Sequence, residues 1–214
     1  MRLLAIDTST PAVAVALHDG ERALAERVVV DARRHGELVA PLVQEVLDAA
    51  GVRAAELTAI AVGVGPGPYT GLRVGIVTAK VMAHALGVPV YGVCGLDALA
   101  RRVDADVTAF TVLTDARRKE VYWARYLPGE RVAGPSVDKP SVVAATVTGP
   151  YVGPGAELYR DVLGDVHGPS EQSAVAVAEL AVARARHGAP SEELRPLYLR
   201  RPDATEPAAP KPVS

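Results

Sequence analysis

The stretch Leu57–Leu86, LTAIAVGVGPGPYTGLRVGIVTAKVMAHAL, decides the fold of this chain of 214 residues. Its first part, 57–64, is a near-continuous apolar run, which predicts a strand buried on both faces of a sheet. The glycine- and proline-rich residues 63–71 predict a loop. A helical pattern then begins at about Thr70 and ends at Gly87. A buried strand joined by a short loop to a helix is typical of α/β folds.

The loop 63–71 has the composition of an anion-binding loop, because backbone N–H groups between a strand and a helix can surround an anion. A Walker A motif is excluded, since no Gly-Lys-Ser/Thr is present. The dinucleotide-binding pattern GxGxxG is excluded as well, because Pro68 stands at the third glycine. Two interpretations stay open, an anion site and a tight strand-to-helix turn with close backbone packing. The spacing favours the turn.

A stripe of small residues runs along this predicted helix, with one small residue every four positions. Nearly all other positions are apolar, so we expect this helix to be buried on every side. One face can lie on the sheet of the chain itself, and the other needs a cover, either a helix of the same chain or a second subunit. In the subunit interpretation, Gly75→Leu or Ala79→Glu abolishes dimerisation while the fold survives. The candidate interface residues are Leu42, Val46, Gly71, Arg73, Gly75, Ala79, Met82 and Ala83.

Three short apolar runs precede this stretch, at 2–7, 12–18 and 24–30. They follow one another too closely for parallel pairing, so we expect antiparallel neighbours. A helix is predicted over 36–51 from its apolar periodicity, and a further strand over 88–93. The resulting order, β-β-β-α-β-α-β, predicts a mixed sheet covered by helices.

The second half of the chain has a less regular pattern. Alternating residues predict two strands, at 108–114 and 120–127, joined as a hairpin by a polar turn. A short helix is predicted near 156–163 and a longer one over 171–187.

This change of pattern near residue 100 predicts two subdomains. Residues 1–100 form the N-terminal one, and residues 101–202 form a smaller one whose last part is expected to pack back on the first. Residues 203–214 are rich in proline and alanine, which predicts a disordered tail.

Composition excludes several classes of protein. With 49% hydrophobic residues and a formal net charge of −2, the chain is expected to fold and has no overall basic field for nucleic acid. The single Cys94 excludes an internal disulfide and suits a reducing compartment. No signal peptide is recognised, and the longest uncharged stretches fall short of the ~20 residues of a membrane span. We therefore expect a cytoplasmic protein without membrane contact.

No catalytic or metal-binding motif is recognised in the sequence. The histidines are too widely spaced for HxxxH or HExxH, and no GxSxG is present. We therefore predict no catalytic residue and no metal ligand. The histidines are His18, His35, His84, His167 and His187.

The polar residues that end the first predicted strand are a candidate nucleotide site. A carboxylate and three hydroxyl groups at a strand end can bind a magnesium-bound phosphate. The alternative is a turn in which these side chains bond to their own backbone. The residues are Asp7, Thr8, Ser9 and Thr10.

A basic triplet, Arg117, Arg118 and Lys119, occupies the tip of the predicted hairpin. These side chains are candidates for contact with the phosphates of tRNA or another nucleic acid. The alternative, which the pattern favours, is a solvated turn with charges on a loop.

Four segments together carry a resemblance to a known family. They are LLAIDTST at 3–10, VGPGPYTGLRVGIVTAK at 64–80, PVYGVCGLDALA at 89–100 and DARRKEVYWARY at 115–126. With these segments the chain resembles the bacterial TsaB family, formerly called YeaZ, over about residues 2–203. The resemblance implies the ASKHA fold of actin and Hsp70, with two subdomains of which the second is reduced.

The resemblance also implies a function. Members of this family are paralogues of TsaD, which transfers threonylcarbamoyl to the adenosine beside the anticodon of tRNAs that read A-starting codons. They are implied to be non-catalytic: each pairs with TsaD through its first two helices, meets the ATPase TsaE through that complex, contacts tRNA indirectly, and forms a homodimer when alone. No cofactor is expected in the isolated chain, whereas a nucleotide is an option in the complex.

One departure from TsaD agrees with a non-catalytic role. After the strand at 89–93, TsaD has a His-x-x-x-His metal pair, whereas this chain has Cys94-Gly-Leu-Asp-Ala-Leu99. Two alternative functions stay open: a metal-dependent peptidase of the M22 glycoprotease type, and an ASKHA small-molecule kinase.

Overall fold

The short apolar runs of the N-terminal half pair into a first sheet. The computed structural model describes residues 1–67, 69–169 and 171–200. The strands of this sheet are β1 (Leu3–Asp7), β2 (Ala12–His18), β3 (Ala23–Val30), β4 (Ala59–Gly63) and β5 (Val90–Val93). Their order is β3-β2-β1-β4-β5, antiparallel from β3 to β1 and parallel from β1 to β5. The predicted α/β class and the predicted order of elements are confirmed.

Helices cover both faces of this sheet, and the alternation of side chains along β1 explains how. Leu4 and Ile6 belong to the core beneath the first two helices, whereas Leu3 and Ala5 belong to the core beneath the last one. Every residue of β1 and β4 is buried, as expected for strands covered on both faces. The helices are α1 (His35–Ala50), α2 (Tyr69–Leu86), α3 (Gly95–Ala100), α4 (Pro140–Thr146), α5 (Pro154–Leu158), α6 (Arg160–Leu163) and α7 (Ala174–Arg186).

The second sheet contains the predicted hairpin. Its strands are β6 (Phe110–Asp115), β7 (Val121–Leu127), β8 (Glu130–Asp138), β9 (Tyr151–Val152) and β10 (Val166–His167). Their order is β10-β9-β6-β7-β8, and β6 and β7 are antiparallel, which confirms the hairpin. Sequence reasoning missed β8 because no residue of this edge strand is fully buried, so it has no clear apolar face to read.

Two helix predictions need correction. The single helix predicted near 156–163 is two short helices, α5 and α6, since Tyr159 between them has non-helical backbone angles (φ −120°, ψ 30°). The helix predicted from residue 171 begins at Ala174. Ser173 is extended there, with its side-chain hydroxyl donating to Glu26 at 2.8 Å, so residues 171–173 cross the end of the first sheet instead of winding into α7.

The chain returns to the first sheet after α7. The N–H of Glu192 donates to the carbonyl of Val90 at 3.0 Å, and the N–H of Leu197 donates to that of Val64 at 2.8 Å. Leu194 between them is buried in the core shared by β1, α1 and α2. The boundary near residue 100 between two subdomains stays a prediction. The predicted tail, 203–214, lies outside the described residues.

Within the described ranges, no helix is both long enough and apolar enough to cross a membrane.

Candidate functional site

The hydroxyl of Thr8 joins the end of β1 to α2. It donates a hydrogen bond to the carbonyl of Gly71 at 2.7 Å and accepts one from the N–H of Gly75 at 3.0 Å. In a regular α-helix, the carbonyl of one residue accepts a hydrogen bond from the N–H of the residue four positions later. Thr8 is therefore bonded into the hydrogen-bond pattern of α2, and this contact fixes where the helix starts relative to the sheet.

The glycine-rich loop packs on the same strand end. A Cβ atom at Gly67 would lie 1.9 Å from the carbonyl oxygen of Ser9, and one at Gly63 would lie 2.4 Å from Oδ1 of Asp7. Glycine is required at both positions because no side chain fits between the loop and β1. Over residues 63–67 the loop packs directly against the end of β1, as expected for the close backbone packing that the spacing favoured.

Asp7 lies fully buried beneath this loop. The N–H of Ser9 donates to its Oδ1 at 2.8 Å, and the side-chain amide of Gln172 contacts its Oδ2. Burial raises the pKa of Asp7 above its ordinary value, although the hydrogen bonds from Ser9 and Gln172 act in the opposite direction. Sequence reasoning could not find Gln172, because this residue lies 165 positions away along the chain.

The residues Asp7 to Thr10 do not form an open nucleotide site in this structure. Asp7, Thr8 and Ser9 are buried, and the carbonyl of Thr10 lies 2.8 Å from Nε2 of His35, the first residue of α1. The glycine loop and Gln172 lie against Asp7 and Ser9, so these side chains as arranged are closed off from an added phosphate. A nucleotide bound in a complex with a partner stays a prediction.

The small-residue stripe of α2 faces the interior of the chain. A Cβ atom at Gly75 would lie 2.4 Å from Oγ1 of Thr8, and one at Gly71 would lie 2.9 Å from the carbonyl oxygen of Thr8. The small residues let α2 approach β1 and α1 of the same chain, and contact of the stripe with a partner stays a prediction. The interface candidates that are buried within the chain itself are Leu42, Val46, Gly71, Gly75, Ala79 and Ala83.

The opposite face of α2 carries a second apolar stripe, which points to solvent. Val77 is 57% exposed and Val81 is 61% exposed. The half-buried Val74 and Met82 flank them and pack on the core beneath. Of the predicted interface residues, Arg73 and Met82 lie on or beside this face, and Nε of Arg73 donates to the hydroxyl of Tyr198 at 3.2 Å. In the sequence, the signal for this exposed apolar face was that α2 is apolar on nearly every side.

The predicted basic triplet forms the exposed turn between β6 and β7. Arg117, Arg118 and Lys119 all have positive φ, between 55° and 61°, which non-glycine residues seldom adopt. The N–H of Arg117 donates to Oδ1 of Asp115 at 2.8 Å, and this bond supports the turn. Contact of the triplet with tRNA stays a prediction.

A groove of about 620 Å³ lies between α3 and the hairpin of β7 and β8. At one end the hydroxyl of Tyr126 donates to Oδ1 of Asp97 at 2.7 Å, and Arg131 forms an ion pair with the same carboxylate at 2.9 Å. Burial and the charge of Asp97 raise the pKa of Tyr126, and they also raise the pKa of the buried Cys94 thiol nearby. No local sequence pattern signals this groove, because its walls come from distant segments.

In the described part of the chain, no three histidine, cysteine, aspartate or glutamate side chains are grouped so that they could hold a metal ion.

Comparisons with known proteins agree with this architecture. Residues 28–160 match the family model described as TsaD, tRNA N6-adenosine threonylcarbamoyltransferase. An uncharacterised protein of Mycobacterium tuberculosis is 46% identical over 210 residues, which cover 94% of this chain and 93% of that one. The tRNA threonylcarbamoyladenosine biosynthesis protein TsaB of Escherichia coli is 40% identical over 129 residues, or 59% of this chain and 55% of that one.

The solved structure of YeaZ from Pseudomonas aeruginosa superposes on this one with a TM-score of 0.75 and 29% identity, covering 92% of this chain and all of that one. This likeness confirms the predicted ASKHA fold class. Because the family model covers well over half of the residues, and because named relatives and a solved structure agree with it, the chain belongs to the TsaB (YeaZ) family.

Proposed function

We propose that this chain is a subunit of the machinery that makes threonylcarbamoyladenosine in tRNA. In this proposal it supports a TsaD-type transferase through α1 and α2 and does not catalyse the transfer itself. The observation that carries the proposal is the exposed apolar face of α2 around Val77 and Val81. The name of the Escherichia coli relative supports the choice of pathway.

Two features support a non-catalytic role. The polar residues at the end of β1 are taken up by contacts with α2, the glycine loop and Gln172, so they are not free to act on a substrate. Cys94 stands where TsaD has its metal pair, and burial raises the pKa of its thiol, which disfavours the reactive thiolate.

The chemistry of the α2 face favours another protein helix as its partner. Val77 and Val81 are one helical turn apart, and the flanking Val74 and Met82 extend the same stripe along the helix axis. Full burial of such side chains contributes about 1.5–3 kcal/mol each. A stripe of this kind suits packing against a helix of another subunit, either TsaD or a second copy of this chain.

The face is tested with the double variant Val77→Glu/Val81→Glu. Because the partner would bury two unpaired carboxylates, we expect association with TsaD to weaken at least about tenfold, which corresponds to about 1.4 kcal/mol. Static light scattering and a binding titration measure the association, and the thermal midpoint shows whether the fold is kept. Val142→Glu, at a 47% exposed apolar residue of α4, is the matched control and should bind like the wild type.

Reconstitution tests the function itself. The modification is followed on tRNA with TsaC, TsaD and TsaE, with and without this chain, and we expect strong stimulation by the wild type but not by the double variant. Full modification in the absence of the chain would contradict the proposal. Product formed by this chain with a TsaD that lacks its metal pair would contradict the non-catalytic role.

A further inference from the structure

The turn between β6 and β7 adopts a backbone conformation that its residues do not favour. Arg117, Arg118 and Lys119 have successive φ values of 61°, 55° and 60°. The N–H of Glu120 donates to the carbonyl of Arg117 at 3.0 Å, so Arg118 and Lys119 are the two central residues of the turn. Turns with two central residues at positive φ strongly prefer Asn-Gly or Asp-Gly, because a Cβ atom is crowded there. This chain has two long cationic side chains instead.

Contacts on both sides hold the turn in this conformation. The carboxylate of Asp115 accepts a hydrogen bond from the N–H of Arg117 at 2.8 Å and lies 3.5 Å from the guanidinium of the same residue. On the other side, the carboxylate of Glu120 contacts the guanidinium of Arg200, near the end of the described chain. Unfavourable backbone conformations persist only where neighbours enforce them, and they concentrate at functional sites. The conformation therefore points to a use for the side chains that the turn presents.

The turn presents more positive than negative charge to solvent. All three of its cationic residues are exposed, and the side chain of Arg117 is 60% exposed. The two neighbouring carboxylates, Asp115 and Glu120, already face one guanidinium group each. Arg118 and Lys119 add two further positive charges, so cations outnumber carboxylates at this turn. Exposed cations of this kind attract the phosphates of a nucleic acid whatever its base sequence.

The turn lies on the side of the molecule where α2 begins. Arg200 contacts Glu120 directly after the turn, and the hydroxyl of Tyr198, two residues earlier, accepts a hydrogen bond from Arg73 of α2. Two residues of chain span at most about 7 Å. The turn is thus a neighbour of the α2 face that we propose for TsaD, and a single RNA can contact both subunits there.

We propose that Arg117, Arg118 and Lys119 bind the phosphate backbone of the tRNA that the transferase modifies. The inference rests on the proposed function, which supplies the RNA, and it goes beyond the indirect contact that the family resemblance implies. The turn fixes the backbone of three successive cationic residues before the RNA binds, which lowers the entropy cost of binding. Phosphate contacts set the position of a nucleic acid and do not read its sequence, so the triplet positions the tRNA and takes no part in the transfer.

Two double variants at the centre of the turn test the inference. Arg118→Asn/Lys119→Gly removes both charges and introduces residues that tolerate positive φ, whereas Arg118→Gln/Lys119→Gln removes the charges alone. We expect both to weaken binding of tRNA to the complex of this chain with TsaD by at least about tenfold. The slope of log Kd against log salt concentration should fall by about 1.5–2. Fluorescence anisotropy of labelled tRNA, titrated at several salt concentrations, measures both quantities.

Unfolding in denaturant distinguishes the two variants from each other. The unfolding constant should fall at least about fivefold in Arg118→Asn/Lys119→Gly, because the turn then has residues that suit its backbone. In Arg118→Gln/Lys119→Gln it should change by less than about twofold. A gain in stability together with a loss of RNA binding is expected where a protein keeps strain for function. If Arg118→Asn/Lys119→Gly were no more stable than the wild type, the backbone argument would fail and the inference would be overturned.

Arg22→Gln/Arg53→Gln is the matched control. These side chains are 81% and 84% exposed on turns beside the first sheet, so their loss removes the same charge from another place. The affinity for tRNA should stay within about twofold of the wild type, because exposed charges away from the RNA contribute little. Equal affinities for the wild type and both turn variants would overturn the inference. So would an equal loss in the control, because the effect would then come from net charge alone.

Association with TsaD separates this inference from the proposed function. Static light scattering of each turn variant with TsaD should give the same complex as the wild type. If the wild type itself did not associate with TsaD, the proposed function would be contradicted and this inference with it. Normal association with unchanged tRNA affinity would overturn this inference alone. A turn variant that no longer associated with TsaD would overturn it too, because the triplet would then contact protein and not RNA.

Discussion

At the scale of single residues, Thr8, directly after β1, approaches Gly75 of α2 closely. A methyl group at Gly75 would overlap the hydroxyl of Thr8, so we expect Gly75→Ala to destabilise the fold by about 1–3 kcal/mol. A Cβ atom added at Gly36 of α1 would lie in open space, so Gly36→Ala should stabilise the fold by about 0.4–1 kcal/mol. Denaturant unfolding of both variants measures the contrast. Equal stability for the two would contradict the tight approach of α2 to β1.

The same contact explains why the small-residue stripe of α2 faces the interior of the chain. The sequence predicts a stripe of small residues on α2 and apolar residues on nearly every other side, but it does not say which side faces the chain's own sheet. That choice depends on Thr8, which is far away in sequence and approaches closely only where Gly71 and Gly75 leave room. A substitution such as Gly75→Leu therefore tests this buried contact first.

At the scale of elements, the start of α7 depends on a side chain from another strand. Glu26 of β3 accepts hydrogen bonds from the hydroxyl of Ser173 at 2.8 Å and from the N–H of Val175 at 3.2 Å. It serves as a cap supplied from outside the helix, so Glu26→Ala should lower the free energy of unfolding by about 0.5–2 kcal/mol. Glu21→Ala, at an exposed residue of the neighbouring turn, should stay within about 0.5 kcal/mol of the wild type. Thermal unfolding measures both variants, and equal stabilities would contradict the role of Glu26 as a cap.

The order of the first seven elements could be predicted because each has a local signal. The apolar runs of β1 and β4 and the glycine that ends α1 are readable without any knowledge of the partners. The start of α7 and the strand β8 could not be predicted, because the first depends on Glu26 and the second on pairing with β7. The same holds for the candidate site. Asp7 to Thr10 could be singled out from local sequence, whereas Gln172, which is far away along the chain, could not.

At the scale of the whole molecule, residues 191–200, the last part of the chain that the structure describes, pack on the first sheet. Leu194 is buried among residues of α1, α2 and β4, so Leu194→Ala should destabilise the protein by about 2–5 kcal/mol. Val142→Ala, at an exposed residue, should change stability by less than about 0.5 kcal/mol. Chemical denaturation measures both, and a small effect at Leu194 would mean that this segment is not part of the cooperative fold.

The contact between Arg73 and Tyr198 has a practical consequence for anyone who handles this protein. It brings the chain, two residues before the end of the described structure, to the first turns of α2, one helical turn from Val77. A bulky label attached at Tyr198 would thus lie beside the surface that we propose for TsaD. Such a label would compete with the partner for space, so labels for binding measurements belong elsewhere on the chain.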